Sequence, residues 1–171
     1  MKKHKAKKHA KKNKGFSLIE LLIVVAIILI IAAIAIPNLL RSRIAANEAS
    51  AVGSVRTLNT AEVTYNTTYP TVGFTGLANL GPVAGGASPS SATAGLIDAN
   101  LASGVKSGYN FTVTPVIPSS GPSTDYQSAA APVTPGTTGQ RYFCSDSSGV
   151  IQYNATAATG ATCAGGANTP I

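Results

Sequence analysis

The sequence predicts an α+β protein: a long N-terminal helix, membrane-spanning in its first half and amphipathic in its second, packed on a small antiparallel sheet with long loops. Three observations predict it. From Phe16 to Ile36 run 21 residues, of which only Ser17 and Glu20 are polar. From residue 38 to 68 the chain is rich in Ala, Leu, Glu and Arg, lacks proline, and places apolar residues every three or four positions. Beyond Pro70 the composition turns to Gly, Ser, Thr, Ala and Pro, interrupted by short alternating apolar runs, the pattern of strands between turns.

The apolar run comes first. Its β-branched residues would suit a buried strand, but strands seldom exceed about ten residues, so length decides for a helix. As a helix, 21 residues cross a bilayer core of about 30 Å. Glu20 is the exception within it. A charge in a bilayer costs roughly 3 kcal/mol or more, so a carboxylate there points to a function and a partner, the plainer alternative being a side chain that snorkels to the interface. Ahead of the run, residues 1–14 hold eight lysines and both histidines, His4 and His9, out of thirteen basic residues in the chain. Lysines before an apolar helix stay in the cytoplasm, so the remainder is expected outside. A basic arm for nucleic acid is the competing reading, disfavoured by the span that starts immediately after it. A secretory signal cut at Ala32-Ala33-Ile34-Ala35 is disfavoured because the apolar run extends past that point.

After Pro37 the positions Ala51, Val55, Leu58, Glu62, Tyr65 and Tyr69 recur at helical spacing, with Ile44, Val52 and Val63 broadening the face. Helix is expected to about Asn66, with Gly53 a weak point and a bend at Pro37. A membrane-surface helix is the alternative; the modest charge favours docking on the protein's own domain.

In the C-terminal region, 81–90 reads as loop, and 94–104 holds a short helical turn ending at Gly104. Tyr109–Thr114 alternates as a strand stopped by Pro115, and 118–139, with four prolines, reads as loop. Gln140–Cys144 and Val150–Tyr153 flank Ser145-Asp146-Ser147-Ser148-Gly149, which has turn composition, and so predict a hairpin. Cys144 and Cys163 are the two cysteines. On the outer side of a membrane they are best read as one disulfide, closing a loop of about 20 residues and contributing roughly 3 kcal/mol in the chain-entropy account.

Lys14-Gly15-Phe16-Ser17-Leu18-Ile19-Glu20, followed by the apolar run to Pro37, resembles the class III signal of type IV prepilins and of type II secretion pseudopilins. The Gly-Tyr-x-Phe-Thr pattern at 108–112 and Arg-Tyr-Phe-x-Ser-Asp-x-Ser-Gly-Val-Ile at 141–151 look more loosely like pilin heads. The resemblance implies a cleaved leader at 1–15, a transmembrane and assembly helix at 16–37, its amphipathic continuation at 38–68, and a β-rich head with a C-terminal disulfide region at 69–171. It implies cleavage after Gly15 by a prepilin peptidase, N-methylation of the new terminus Phe16, and assembly through the Phe16 amine and the Glu20 carboxylate of neighbouring subunits. Leu29 departs from the family, which often has Gly there, so the extent of helix unwinding between Leu29 and Pro37 stays open.

By that resemblance the chain is a structural subunit that assembles into a helical homo-oligomeric filament. Its precursor lies in the inner membrane with the N terminus cytoplasmic and the head periplasmic, meets the pilus assembly machinery there, and ends as an extracellular fibre needing no nucleic acid to assemble. A pseudopilin of type II secretion is the alternative, and a membrane-anchored envelope enzyme a more distant one. Without residues 1–15 the chain has no histidine, which excludes Ser-His-Asp and Cys-His nucleophiles. With two thiols and no histidine, a metal site is not expected, nor is any cofactor. The removed leader also changes the balance of charge: five basic side chains remain against six acidic ones.

Overall fold

The computed structural model describes residues 15–85, 87–155 and 169–171. Helix α1 spans Leu18–Thr68, 51 residues with Pro37 inside it. The chain divides into two units, one ending at Leu39 and the other covering Leu40–Ile171, and α1 passes through both. In the first unit α1 is apolar all round. Fourteen large apolar side chains between Leu18 and Ile36 are exposed, and an 18-residue window of α1 reaches a mean hydropathy of 3.3 with none of it buried. By length and composition this helix can cross a membrane.

In the second unit α1 is amphipathic. Ala51, Val55, Leu58, Ala61 and Tyr65 are buried against the sheet, with Val52 and Tyr69 packed beside them. Val63, expected to broaden this face, is 53% exposed instead. It lies one position past Glu62 and therefore about 100° round the helix, beyond the edge of the docking stripe.

A 3₁₀ turn, Leu77–Leu80, and a short helix α2, Ala99–Ala102, precede the sheet. The Asp98 side chain caps α2 by accepting from the Leu101 amide, and Gly104 follows it at φ 83°, as expected for that turn. The strands are β1 (Val105–Lys106), β2 (Tyr109–Val116), β3 (Asp125–Pro132), β4 (Tyr142–Asp146), β5 (Gln152–Asn154) and β6 (Thr169–Pro170). They form one antiparallel sheet in the order β1-β2-β3-β4-β5-β6. Tyr109, Phe111 and Val113 of β2, Tyr126 and Ala130 of β3, and Phe143 of β4 enter the core with Leu80, Leu101 and Ile151.

Two strand expectations are corrected. The stretch 118–139 is not all loop, because β3 lies within it and pairs with both β2 and β4. Its alternation is present but carried by small residues: Ser128 and Ala130 point inward, whereas Gln127, Ala129 and Ala131 are half-buried. Pro115 does not stop β2; it pairs with Tyr126 inside the strand. Among the described residues β1 flanks β2 only at Tyr109 and Asn110, so Pro115 has a strand neighbour on one side, where its missing N–H is tolerated. The β4–β5 hairpin is present, with Phe143 opposite Tyr153 and Cys144 opposite Gln152. Its turn closes through the Gly149 amide to the Asp146 carbonyl, with Gly149 at φ 73°.

Candidate functional site

The predicted site lies where α1 begins. Ser17 is the residue before the helix, and its carbonyl accepts from the Leu21 amide at 3.2 Å. Three residues on, Glu20 turns back, and its Oε2 accepts from the Ser17 N–H at 2.8 Å. The carboxylate thereby satisfies a backbone donor that the helix leaves without a partner, the reciprocal half of a capping box, and it also lies at the positive end of the helix dipole. Phe16 stands outside this contact and is 91% exposed. The structure therefore joins Glu20 to the backbone one residue past Phe16, within a single chain. Gly15 has open space around it: a side chain there would meet nothing within 4 Å.

The remaining predicted residues lie elsewhere. Pro37 is within α1. Cys144 is half-buried on β4, between the inward-facing Phe143 and Ser145, and so on the opposite face of the sheet from the core. Cys163, its expected disulfide partner, lies outside the described residues, as do the leader lysines.

Two carboxylates anchor the head to α1: Glu48, which the sequence did not single out, and Glu62, which lies on the expected docking face. Glu48 is buried; its Oε1 accepts from the Gln140 and Arg141 amides at 2.9 and 3.1 Å, and its Oε2 from Arg141 Nε at 2.7 Å. Burial acts to raise its pKa, but the amides and the guanidinium outweigh burial and hold it below the ordinary value of 4.5. Arg141 in turn lies over the Phe143 and Tyr153 rings, 5.5 and 5.3 Å from their centroids. Glu62 is wholly buried, with burial pushing its carboxyl up to about 7. Beside it a neutral chain runs from Tyr126 OH to Asn59 Oδ1 (3.1 Å), from Asn59 Nδ2 to Ser145 Oγ (2.8 Å), and from Ser145 Oγ to the Val150 carbonyl (3.0 Å). Among the described residues no cluster of three or more His, Cys, Asp or Glu could hold a metal. Asp125 and Asp146 each bond nearby backbone amides, those of Tyr126 and Ser147 for Asp125 and that of Ser148 for Asp146.

Residues 10–36 match the family model described as the prokaryotic N-terminal methylation motif. The N-terminal segment thus carries a prokaryotic N-terminal methylation motif. The matched segment contains Gly15, Phe16, Ser17 and Glu20 and ends one residue before Pro37. The chain is similar to the type IV major pilin protein PilA of Myxococcus xanthus, with 46% identity over 54 residues, 32% of this chain and 24% of the relative. It is also similar to the type IV wide pilus major component PilA4 of Thermus thermophilus, with 69% identity over 35 residues, 20% of this chain and 27% of the relative. The chain thus spans about a quarter of the length of the curated relatives it matches. No solved structure matches it significantly.

Proposed function

We propose that this chain is a structural subunit of a type IV pilus, made as a prepilin and assembled through α1 into a helical filament. The observation that carries the reading is the start of α1: a capped, exposed Phe-Ser-Leu-Ile-Glu followed by a helix whose large apolar side chains have no cover within their own unit. A bilayer solvates such a surface before assembly, and the helices of other copies replace the lipid afterwards. Fully burying one Leu or Ile side chain contributes roughly 1.5–3 kcal/mol relative to water. Between lipid and a helical filament core the difference is much smaller, so packing and polar pairing decide the register.

The inner membrane holds the precursor with its N terminus cytoplasmic and its head periplasmic. A prepilin peptidase hydrolyses the Gly15–Phe16 bond there, and the new Phe16 terminus is methylated. Glycine at position 15 is not demanded by the packing of this chain, where a Cβ would meet nothing, which supports a demand set by an outside reader such as the peptidase. In the fibre, Glu20 exchanges the Ser17 amide for the amine of a neighbour's Phe16. Pro37 bends α1, and Cys144 and Cys163 close one disulfide on the outward face of the sheet. The assembly machinery and other copies of the chain are its partners, and the role is structural rather than catalytic. Both relatives are pilus components by name, which favours a surface fibre over a secretion piston.

The test is intact mass and N-terminal sequencing of sheared surface fibres. The expected subunit begins at singly methylated Phe16. A subunit retaining Met1, or beginning after Ala33 or Ala35, overturns the reading.

A further inference from the structure

Glu62 has no part in the start of α1 and sits in the head without a compensating charge. It is 0% exposed. Its Oε2 accepts from the Thr75 N–H at 3.1 Å, and its Oε1 has no hydrogen-bond partner among the described residues. Thr75 belongs to the crossing 69–76, which leaves the end of α1 and runs beside the β2–β3 connection. On that side the crossing is held by backbone bonds, Ser123 N–H to the Val72 carbonyl at 2.9 Å and Phe74 N–H to the Ser123 carbonyl at 3.4 Å. On the helix side it is held by Glu62 and by the Tyr69 N–H, which donates to the Tyr65 carbonyl at 2.8 Å. Phe74 also lies against Tyr126, with ring centroids 4.9 Å apart.

Among the described residues the groups around Glu62 offer no cation. The crossing and the following 3₁₀ turn contain no ionisable side chain beyond Tyr69, which stacks on Tyr65 of α1 at 4.9 Å. From β3 comes Tyr126, whose hydroxyl donates to Asn59 and whose ionisation is suppressed by burial first and by the Glu62 charge second. Asp125 and Asp146, from β3 and β4, act on Tyr126 in the same sense. From β4 the buried neighbour is the neutral Ser145.

We infer that Glu62 is a pH-operated latch between α1 and the crossing 69–76: as a neutral acid it lets the core close over Thr75, and as a carboxylate it loosens that crossing. The Thr75 N–H favours the carboxylate, but burial outweighs it; an ionised oxygen without a donor in a buried, uncharged setting is costly, and the relief is for the crossing to lift and admit water. The carboxyl stands at about 7 in the folded chain against an ordinary 4.5. Between those values the folded chain holds a proton that the unfolded chain has released. The contribution of Glu62 to stability is therefore full below about 4.5, falls as pH rises through that window, and is flat above about 7. The inference concerns the head alone and does not depend on the chain's being a pilus subunit.

The experiment uses the full chain in detergent micelles. Thermal midpoints are measured from pH 4.5 to 8 for the wild type and Glu62→Gln, with hydrogen exchange of peptides covering 69–76 corrected for intrinsic rates. The wild-type midpoint is expected to fall by at least about 5 °C across the window, with loss of protection at 69–76, while Glu62→Gln shows neither change. A wild-type slope that persists unaltered in Glu62→Gln overturns the latch. A measurement on the wild type alone covers a variant that fails to fold: infrared spectroscopy is expected to show one protonated carboxyl surviving to near neutral pH. Complete ionisation of all carboxyls by pH 5 overturns the inference.

Discussion

A single substitution can separate the cap that Glu20 makes from the assembly role proposed for it. Its oxygen caps the Ser17 amide within the chain, whereas its charge serves the proposed pairing with a neighbour's Phe16. Glu20→Gln keeps an acceptor at the cap and removes the charge; Glu20→Ala removes both. Loss of a helix cap costs about 0.5–2 kcal/mol, too little to prevent insertion of so apolar a helix. Both variants should therefore reach the membrane and be cut, and both should fail to yield sheared fibres. Only Glu20→Ala should also show faster amide exchange at residues 17–19. Normal fibre yield from Glu20→Gln would leave the cap as the sole role of this side chain. Gly139 is a second position decided by one residue's chemistry. The Tyr109 ring and hydroxyl occupy the space a Cβ would need there, and that hydroxyl donates to the Arg141 carbonyl at 2.9 Å. Gly139→Ala should lower head stability by about 1–3 kcal/mol through overpacking, read as a shift of the urea midpoint at constant slope.

At the scale of elements, α1 was legible because its two signals are long: an uninterrupted apolar run and then a stripe of period 3.6. The β4–β5 hairpin was legible from its turn residues and its aromatic strands. β3 was not, because its inward positions are Tyr126, Ser128, Ala130 and Pro132. Only the first resembles a strand-former, and Ser128 and Ala130 are admitted because large side chains, Tyr109 and Phe143 among them, already fill the layer. The start of α1 was legible for the same reason as the helix itself, as a local motif. The Glu48 anchor was not, since that carboxylate finds its partners more than 90 residues away. That contact ties α1 to the entry of β4. Glu48→Gln should destabilise the head by about 1–3 kcal/mol, the cost of charge-assisted bonds lost at a buried site. The pKa of Glu48 is depressed, so its contribution is present above the unfolded value near 4.5 and is lost as pH falls through its lower folded value. Urea midpoints measured below pH 5 should therefore drop more steeply in the wild type than in Glu48→Gln.

For the whole molecule, the strongly basic character belongs to one end. The sequence pI of about 9.6 includes eight lysines in the first 14 residues, and without residues 1–15 five basic side chains face six acidic ones. Isoelectric focusing should move exported protein from the basic range to below neutrality, and a subunit that stays basic would show that the leader remains. The sheet has a consequence of a different kind. Its spatial order repeats its order along the chain, without a crossover. In the proposed topology the chain emerges from the membrane behind a retained α1, so every strand arrives with its pairing edge already in place. Folding of the head can then proceed as a ratchet, each newly paired strand hindering backsliding of the polypeptide through the translocation channel. No strand has to wait for a later one to be inserted between it and its neighbour.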